Sequence, residues 1–262
     1  MTNHAGIGVE LLPGIARLMI DAPPANTWSL DNLRGLVAAI AQVSGTPGIN
    51  ALILTGAGTK FFSAGASLQW IHEHGKAGAA ELAEAFGAAF DALAKFPGVT
   101  IAAINGYALG GGLEAALSCD IRICEEQARL GLPEARVGLL PAAGGTQRLR
   151  ELVGSGWAKR IILCGEQVDA ATARTIGLVE EVVPTGSAYV RALELAQAAC
   201  RLSPASLRAC KTLIDADRRV TVEPFLADER TGFVALFDHP DQREGVEAFL
   251  GKREPRWQEA HP

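Results

Sequence analysis

Two glutamates in this 262-residue chain sit in backbone shaped by glycine and proline rather than on charged faces. Glu114 follows Gly110-Gly111-Gly112, where a buried-type strand gives way to a short helix, so free N–H groups and a carboxylate meet at one helix start. Such a terminus suits a developing oxyanion. Twenty positions later, Glu134 directly follows Pro133, in a loop shaped by Pro133, Pro141 and Gly144-Gly145. Plainer roles exist for both: Glu114 as an acid complementing a helix dipole, and Glu134 as the ion-pair partner of Arg136. The apolar sequence around Glu114 argues for more, because a carboxylate near buried surface needs a partner or a function. Two carboxylates with candidate N–H donors are what acid/base chemistry beside a carbonyl requires.

A third stretch, Phe61-Phe62-Ser63-Ala64-Gly65-Ala66-Ser67-Leu68, follows a strand and turn, and its small residues leave backbone N–H groups able to face a cleft. Other chemistries lack their signatures. There is no GxGxxG after a strand, no GxxxxGK[ST] and no GxSxG elbow. His72-Glu73-His74 has the wrong spacing for two ligands on one helix face and reads as a solvated polar turn, so no metal site is expected.

The elements that must position these residues follow from hydrophobic periodicity. Ile15 to Ile20, Ala51 to Leu54, Val99 to Ile104, Ile121 to Cys124 and Val179 to Val183 read as strands. Leu33, Leu36, Val37 and Ile40 mark an amphipathic helix after the cap Ser29, and Leu82, Phe86, Phe90 and Leu93 mark a second. The alternation predicts an α/β fold with right-handed crossovers and a largely parallel sheet. From Thr146 the pattern turns to short helices: Thr146 to Val153, Trp157 to Leu163, Ala170 to Ile176, Tyr189 to Leu202, Ser206 to Ala216, Pro224 to Phe237 and Arg243 to Leu250. Residues 1–200 are expected to form the core with the active site, and 201–262 a C-terminal helical subdomain.

Composition narrows the class further. With 48% hydrophobic and 20% charged residues, the chain is an ordinary globular one, neither collagen-like nor disordered. A net charge of -5 gives no general attraction for nucleic acid or anionic lipid. The longest uncharged run, Phe96 to Leu113, holds Pro97, Asn105 and three glycines, and reads as a strand and glycine turn, not a membrane span. Met1 to Glu10 lacks a basic start and an apolar core, so no secretory signal is expected. The cysteines Cys119, Cys124, Cys164, Cys200 and Cys210 have no CxxC spacing and read as buried free thiols of a reducing compartment, which makes a cytoplasmic location the expectation.

Taken in order, these motifs resemble the enoyl-CoA hydratase/isomerase, or crotonase, superfamily. The likeness runs from Pro23-Pro24-Ala25-Asn26 through the Ala66 and Glu114 segments, Leu132 to Leu149 and Gly165 to Val183, to Glu244 to Phe249 and Lys252-Arg253-Glu254-Pro255. It implies a spiral of ββα units with a C-terminal helical trimerisation region, assembled as a homotrimer or a dimer of trimers. It also implies an acyl-CoA thioester substrate, with no cofactor besides the CoA carried by the substrate. By position, Ala66 and Gly111 match the two N–H donors of the oxyanion hole, and Glu114 and Glu134 match the catalytic pair of hydratases. Ala64, Ser67, Leu68, Gly110 and Ala142 fall at substrate-binding positions. Ser67 stands where the family usually has Asp, and Ala142 where it often has Gly. Lys60 and Lys252/Arg253 fall where relatives approach CoA phosphates, and Trp28, Trp70 and Phe86 are candidates for the acyl channel. The expected activity is hydration of the 2,3 double bond of an enoyl-CoA. Alternatives are a Δ3,Δ2-enoyl-CoA isomerase, which needs mainly the glutamate at position 134, and, more remotely, a non-catalytic paralogue acting as a binding module.

Overall fold

Apolar runs without polar alternation belong in strands covered on both faces, and the computed structural model, which describes residues 2–202, 204–238 and 240–253, places them there. An N-terminal meander, β1 (Thr2–His4), β2 (Ile7–Leu12) and β3 (Ile15–Ile20), leads into α1 (Leu30–Ser44). Ser29 and Asn32 close α1 with a reciprocal capping box. Three similar units follow. In each, a long strand is succeeded by a three-residue strand and then a helical segment: β4 (Ala51–Gly56), β5 (Phe61–Ser63) and α2 (Leu68–Ala94); β6 (Val99–Ile104), β7 (Tyr107–Leu109) and α3 (Gly111–Leu117); β8 (Ile121–Glu125), β9 (Arg129–Gly131) and a 3₁₀ turn, Glu134–Val137. Beyond them come α4 (Gly145–Leu163), β10 (Val168–Asp169), α5 (Ala170–Thr175), β11 (Glu181–Val183), α6 (Ala188–Cys200), α7 (Pro204–Ala235), a 3₁₀ turn Leu236–Asp238 and α8 (Pro240–Leu250).

The long strands join a seven-stranded sheet of order β1-β2-β3-β4-β6-β8-β11, parallel from β3 onward and antiparallel in the meander. The short strands build a second sheet, β10-β9-β7-β5, with β5, β7 and β9 parallel. This is the repeating ββα spiral that the resemblance implies.

Strand alternation divides the interior between the two faces of the large sheet. Leu52 and Leu54 of β4 and Ala102 and Ile104 of β6 point into the main core with α1 and α2, while Ala51, Ile53, Ile101 and Ala103 point to a smaller core. Ala188, Ala192 and Ala196, one face of α6 at four-residue spacing, cover that smaller core closely.

Several sequence expectations change here. β1, β2, β5, β7, β9 and β10 were not anticipated: all but β2 are two or three residues long, too short to carry a measurable period, and β2 interrupts its apolar residues with Gly8 and Glu10. The strand expected over Val179 to Val183 begins at Glu181, Val179 lying buried in the preceding turn. The two helices expected within 206–237 run as one element, α7, since the polar stretch between them lacks an apolar face but not helix propensity. Conversely, α4 holds a break at Gly154 (φ 73°), between the two helices expected there. His72-Glu73-His74 is not a turn but lies on α2 before a break at Gly75 (φ 56°), with His74 stacked on Trp70. Among the described residues no group of three or more His, Cys, Asp or Glu is arranged to hold a metal ion. No described helix is long and apolar enough to cross a membrane. All five cysteines are free, but only Cys119 and Cys124 are buried. Cys164, closing α4, and Cys210, on α7, are exposed.

Candidate active site

The second sheet gathers the chemistry at one edge. Ala66 lies three residues beyond the end of β5, Gly111 two beyond β7, and Glu134 three beyond β9, so one turn of each unit delivers one group to the same ends of three parallel strands. These groups line one cavity of about 660 Å³. Ala64, Ser67, Leu68, Gly110, Glu114 and Ala142 line it too, which brings the two glutamates, the two expected N–H donors and the five residues at expected substrate-binding positions to a single site.

The Ala66 arm is clamped to the segment before α1. Ala64 N–H donates to the Ala25 carbonyl (3.0 Å), Trp28 N–H to the Gly65 carbonyl (2.8 Å), and Ser67 N–H to the Trp28 carbonyl (3.0 Å). Trp28 thus engages both neighbours of Ala66, which in a parallel bridge turns the Ala66 N–H to the opposite side of the chain. Ser67 caps α2, its Oγ accepting from Trp70 N–H at 3.4 Å, so the hydroxyl retains the capping part of what an aspartate offers there.

The Gly111 arm begins with Gly110 at φ 54° and opens α3, whose first backbone bond, from Glu114 N–H to the Gly110 carbonyl, leaves the Gly111 N–H outside the helix ladder. The two arms touch. A methyl on Gly65 (φ 92°) would lie 2.8 Å from the Leu109 carbonyl oxygen and 3.3 Å from the Gly111 nitrogen, so only glycine fits between them.

Glu114 is 4% exposed. Its Oε1 accepts N–H bonds from Ala143 and Gly145, both 2.9 Å, at the loop that starts α4. A methyl on Gly145 would stand 2.8 Å from that oxygen, which explains the second glycine of the pair. Glu134 heads its 3₁₀ turn, half-buried, with Oε1 3.0 Å from the position a methyl on Gly110 would take. Arg136, the ion-pair partner in the plainer role for Glu134, donates from Nη2 to the Gly165 carbonyl at 2.8 Å, tying the turn to the loop after α4. Ala142 is not among the residues of positive φ, so its Cβ sits without backbone strain where glycine is frequent.

Apolar walls come from Ile71, Phe86, Leu139 and Leu140, and from Phe233, Phe249 and Leu250 of α7 and α8. Of the aromatic candidates only Phe86 lines the cavity; Trp28 is fully buried beneath it and Trp70 stacks on His74 outside it. Among the basic candidates, Arg253 reaches the cavity while bonded to Glu244, and Lys60 instead lies over the Phe61 ring. The donors Ala143 and Gly145 escaped the sequence reading, although the Gly144-Gly145 pair marked their loop. Phe233 carried no signal, and Phe249 was marked only as the end of the Glu244 to Phe249 stretch, not as a cavity residue.

Comparisons with known proteins place the chain in a family. The family model described as enoyl-CoA hydratase/isomerase matches residues 11–260. The 2,3-dehydroadipyl-CoA hydratase of Escherichia coli is 40% identical over 234 residues, covering 88% of this chain and 91% of that protein. The short-chain-enoyl-CoA hydratase of Clostridium acetobutylicum is 36% identical over 240 residues, covering 91% and 92%. Among solved structures, Pseudomonas aeruginosa DspI is 54% identical and superposes with a TM-score of 0.81 over 98% of both chains. The chain therefore belongs to the enoyl-CoA hydratase/isomerase family, within the crotonase superfamily.

Proposed function

We propose that the protein is an enoyl-CoA hydratase, adding water across the 2,3 double bond of an enoyl-CoA thioester to give a 3-hydroxyacyl-CoA. The observation that carries this reading is the meeting of Glu114 and Glu134 on one largely apolar cavity beside the Ala66 and Gly111 backbone. The thioester oxygen accepts hydrogen bonds from the Ala66 and Gly111 N–H groups, which draws electron density from C3. Glu114 orients water and takes its proton as the oxygen bonds to C3. Glu134 supplies the proton that C2 gains, and the roles reverse in dehydration. Each oxyanion donor contributes roughly 3 kcal/mol to the transition state, by analogy with oxyanion holes generally. The sum of the reaction is one water added, with no electrons passed to an external acceptor. Relatives named as hydratases support the same reading.

With it we propose assembly as a homotrimer or a dimer of trimers, for which Leu213 and Ile214 on α7, 76% and 74% exposed, supply apolar surface. The deciding measurement is the rate of loss of conjugated-enoyl absorbance with crotonyl-CoA, beside conversion of a 3-enoyl-CoA and a panel of longer, branched and aromatic 2-enoyl-CoAs. Hydration of at least one 2-enoyl-CoA, faster than conversion of the 3-enoyl compound, is expected. Conversion of the 3-enoyl-CoA with no hydration of any 2-enoyl-CoA would replace the reading with isomerisation.

A further inference from the structure

We infer that Arg148 is a positioning residue that fixes the Glu114 carboxylate from outside the cavity. The inference rests on the hydratase reading, in which Glu114 activates water. Arg148 lies in the first turn of α4 and does not line the cavity. Its side chain is 14% exposed. From one nitrogen, Nη1, it donates to the Ser118 hydroxyl at 2.8 Å and to the Ala143 carbonyl at 3.1 Å. Each acceptor leads to Glu114 in one step. Ser118 Oγ donates to the Glu114 main-chain carbonyl at 2.8 Å, and Ala143 N–H donates to Glu114 Oε1 at 2.9 Å.

One guanidinium therefore ties together the backbone of Glu114, through Ser118 at the end of α3, and the loop that holds its carboxylate. The same helical turn contributes the Gly145 N–H to that carboxylate. Asp91 of α2, its Oδ1 3.8 Å from Arg148 Nη2, offsets the buried charge. A guanidinium is suited to this because its fork is rigid and its charge permanent, so both bonds are kept at one angle. Acid/base groups lose rate steeply when displaced by a fraction of an ångström, while substrate affinity, set elsewhere along the cavity, is not touched.

The test uses the full-length protein with crotonyl-CoA, comparing Arg148→Gln, Arg148→Lys, Glu114→Gln and the double variant Glu114→Gln/Arg148→Gln. For Arg148→Gln, kcat is expected to fall about 100-fold with KM within about threefold, as for misplaced catalytic groups. Arg148→Lys should recover about tenfold of that loss, since an ammonium keeps the charge and can reach either acceptor. In the Glu114→Gln background, Arg148→Gln should change the residual rate less than about threefold, because the two act on one group. Losses that multiply in the double variant would overturn the inference. So would a kcat for Arg148→Gln close to the unaltered protein's while Glu114→Gln is inactive. Full activity of Glu114→Gln would instead remove the hydratase reading itself. If Arg148→Gln does not fold, Ser118→Ala cuts one of the two links. A kcat lowered about fivefold at constant KM supports the inference, and an unchanged kcat refutes it.

Discussion

Glu114 and Glu134 face one cavity but are supported by different kinds of structure. Glu114 is buried at a helix start, where two amide donors from another loop hold one oxygen in a fixed direction. Glu134 stands on a single 3₁₀ turn, half-buried, with its Oε1 where it would meet a methyl on Gly110, the residue that opens the Gly111 arm. The difference suits the two tasks assigned to them. A group that aims a water molecule must not rotate, whereas a group that exchanges a proton with carbon beside the oxyanion hole must lie close to that hole.

The largest effect that tests this division comes from the carboxylates themselves. Glu114→Gln and Glu134→Gln are each expected to lower hydration by about 10²- to 10⁴-fold, the usual worth of a general acid or base. They should differ with a saturated acyl-CoA in heavy water, where no water is added. There Glu114→Gln keeps exchange of the C2 proton, measured by NMR or mass spectrometry, and Glu134→Gln loses it. Equal loss of exchange in both variants would erase the proposed distinction.

Glycine variants act more mildly and on one carboxylate at a time. Gly145→Ala presses a methyl against Glu114 Oε1 and against Pro141, and should lower kcat about tenfold to 100-fold with C2 exchange retained. Gly110→Ala meets both a positive φ and the Glu134 oxygen, and should lower hydration and exchange together. The reverse pattern in the exchange assay would transfer the roles.

Thiol labelling compares the rigidity of the two supports. Cys119 directly follows Ser118 beyond α3, and burial, with the nearby Asp120 charge, pushes its thiol up to about 12. Cys164 is exposed and precedes Gly165, whose carbonyl receives Arg136 from the Glu134 turn. A thiol reagent near neutral pH should modify Cys164 readily, and Cys119 only on unfolding. Labelling of both at one rate would show that α3 opens as freely as the loop.

The smallest effect belongs to a carboxylate held by a side chain at the surface. Arg191 hydrogen-bonds Glu181 and keeps its pKa below the ordinary 4.5. Because the folded value is the lower one, this stabilisation is full above the ordinary value and is lost as pH falls through the folded value. Both side chains are about one-third exposed. Glu181→Gln is therefore expected to cost about 0.5 kcal/mol or less at pH 7, and nothing in acid below the folded value, by denaturant titration. Its kcat should equal that of the unaltered protein.

How far the sequence went in revealing the site depended on which physical signal each part carries. β4 and β6 were readable because strands buried on both faces are continuous aliphatic runs, and α1 because its cap and apolar stripe are local. Glu114, Glu134, Ala66 and Gly111 were found through glycine and proline, which mark unusual backbone. β5, β7 and β9, which align those residues, are too short for any period to emerge. Arg148 reads as one more charge on a short helix, since its acceptors, Ser118 and Ala143, lie 30 and 5 positions away. The cavity wall from α7 and α8 is set by long-range packing alone.

Trp28 adds a spectroscopic consequence. It is fully buried, pairs with Ala66 through the backbone, and lies 3.3 Å from where a methyl on Gly111 would stand. Its indole therefore senses the field at both amides proposed to bind the thioester oxygen, whereas Trp70 and Trp157 lie against His74 and Arg160. Charge that gathers on that oxygen should shift Trp28 emission, giving the protein its own fluorescent indicator of ligand capture without an added label.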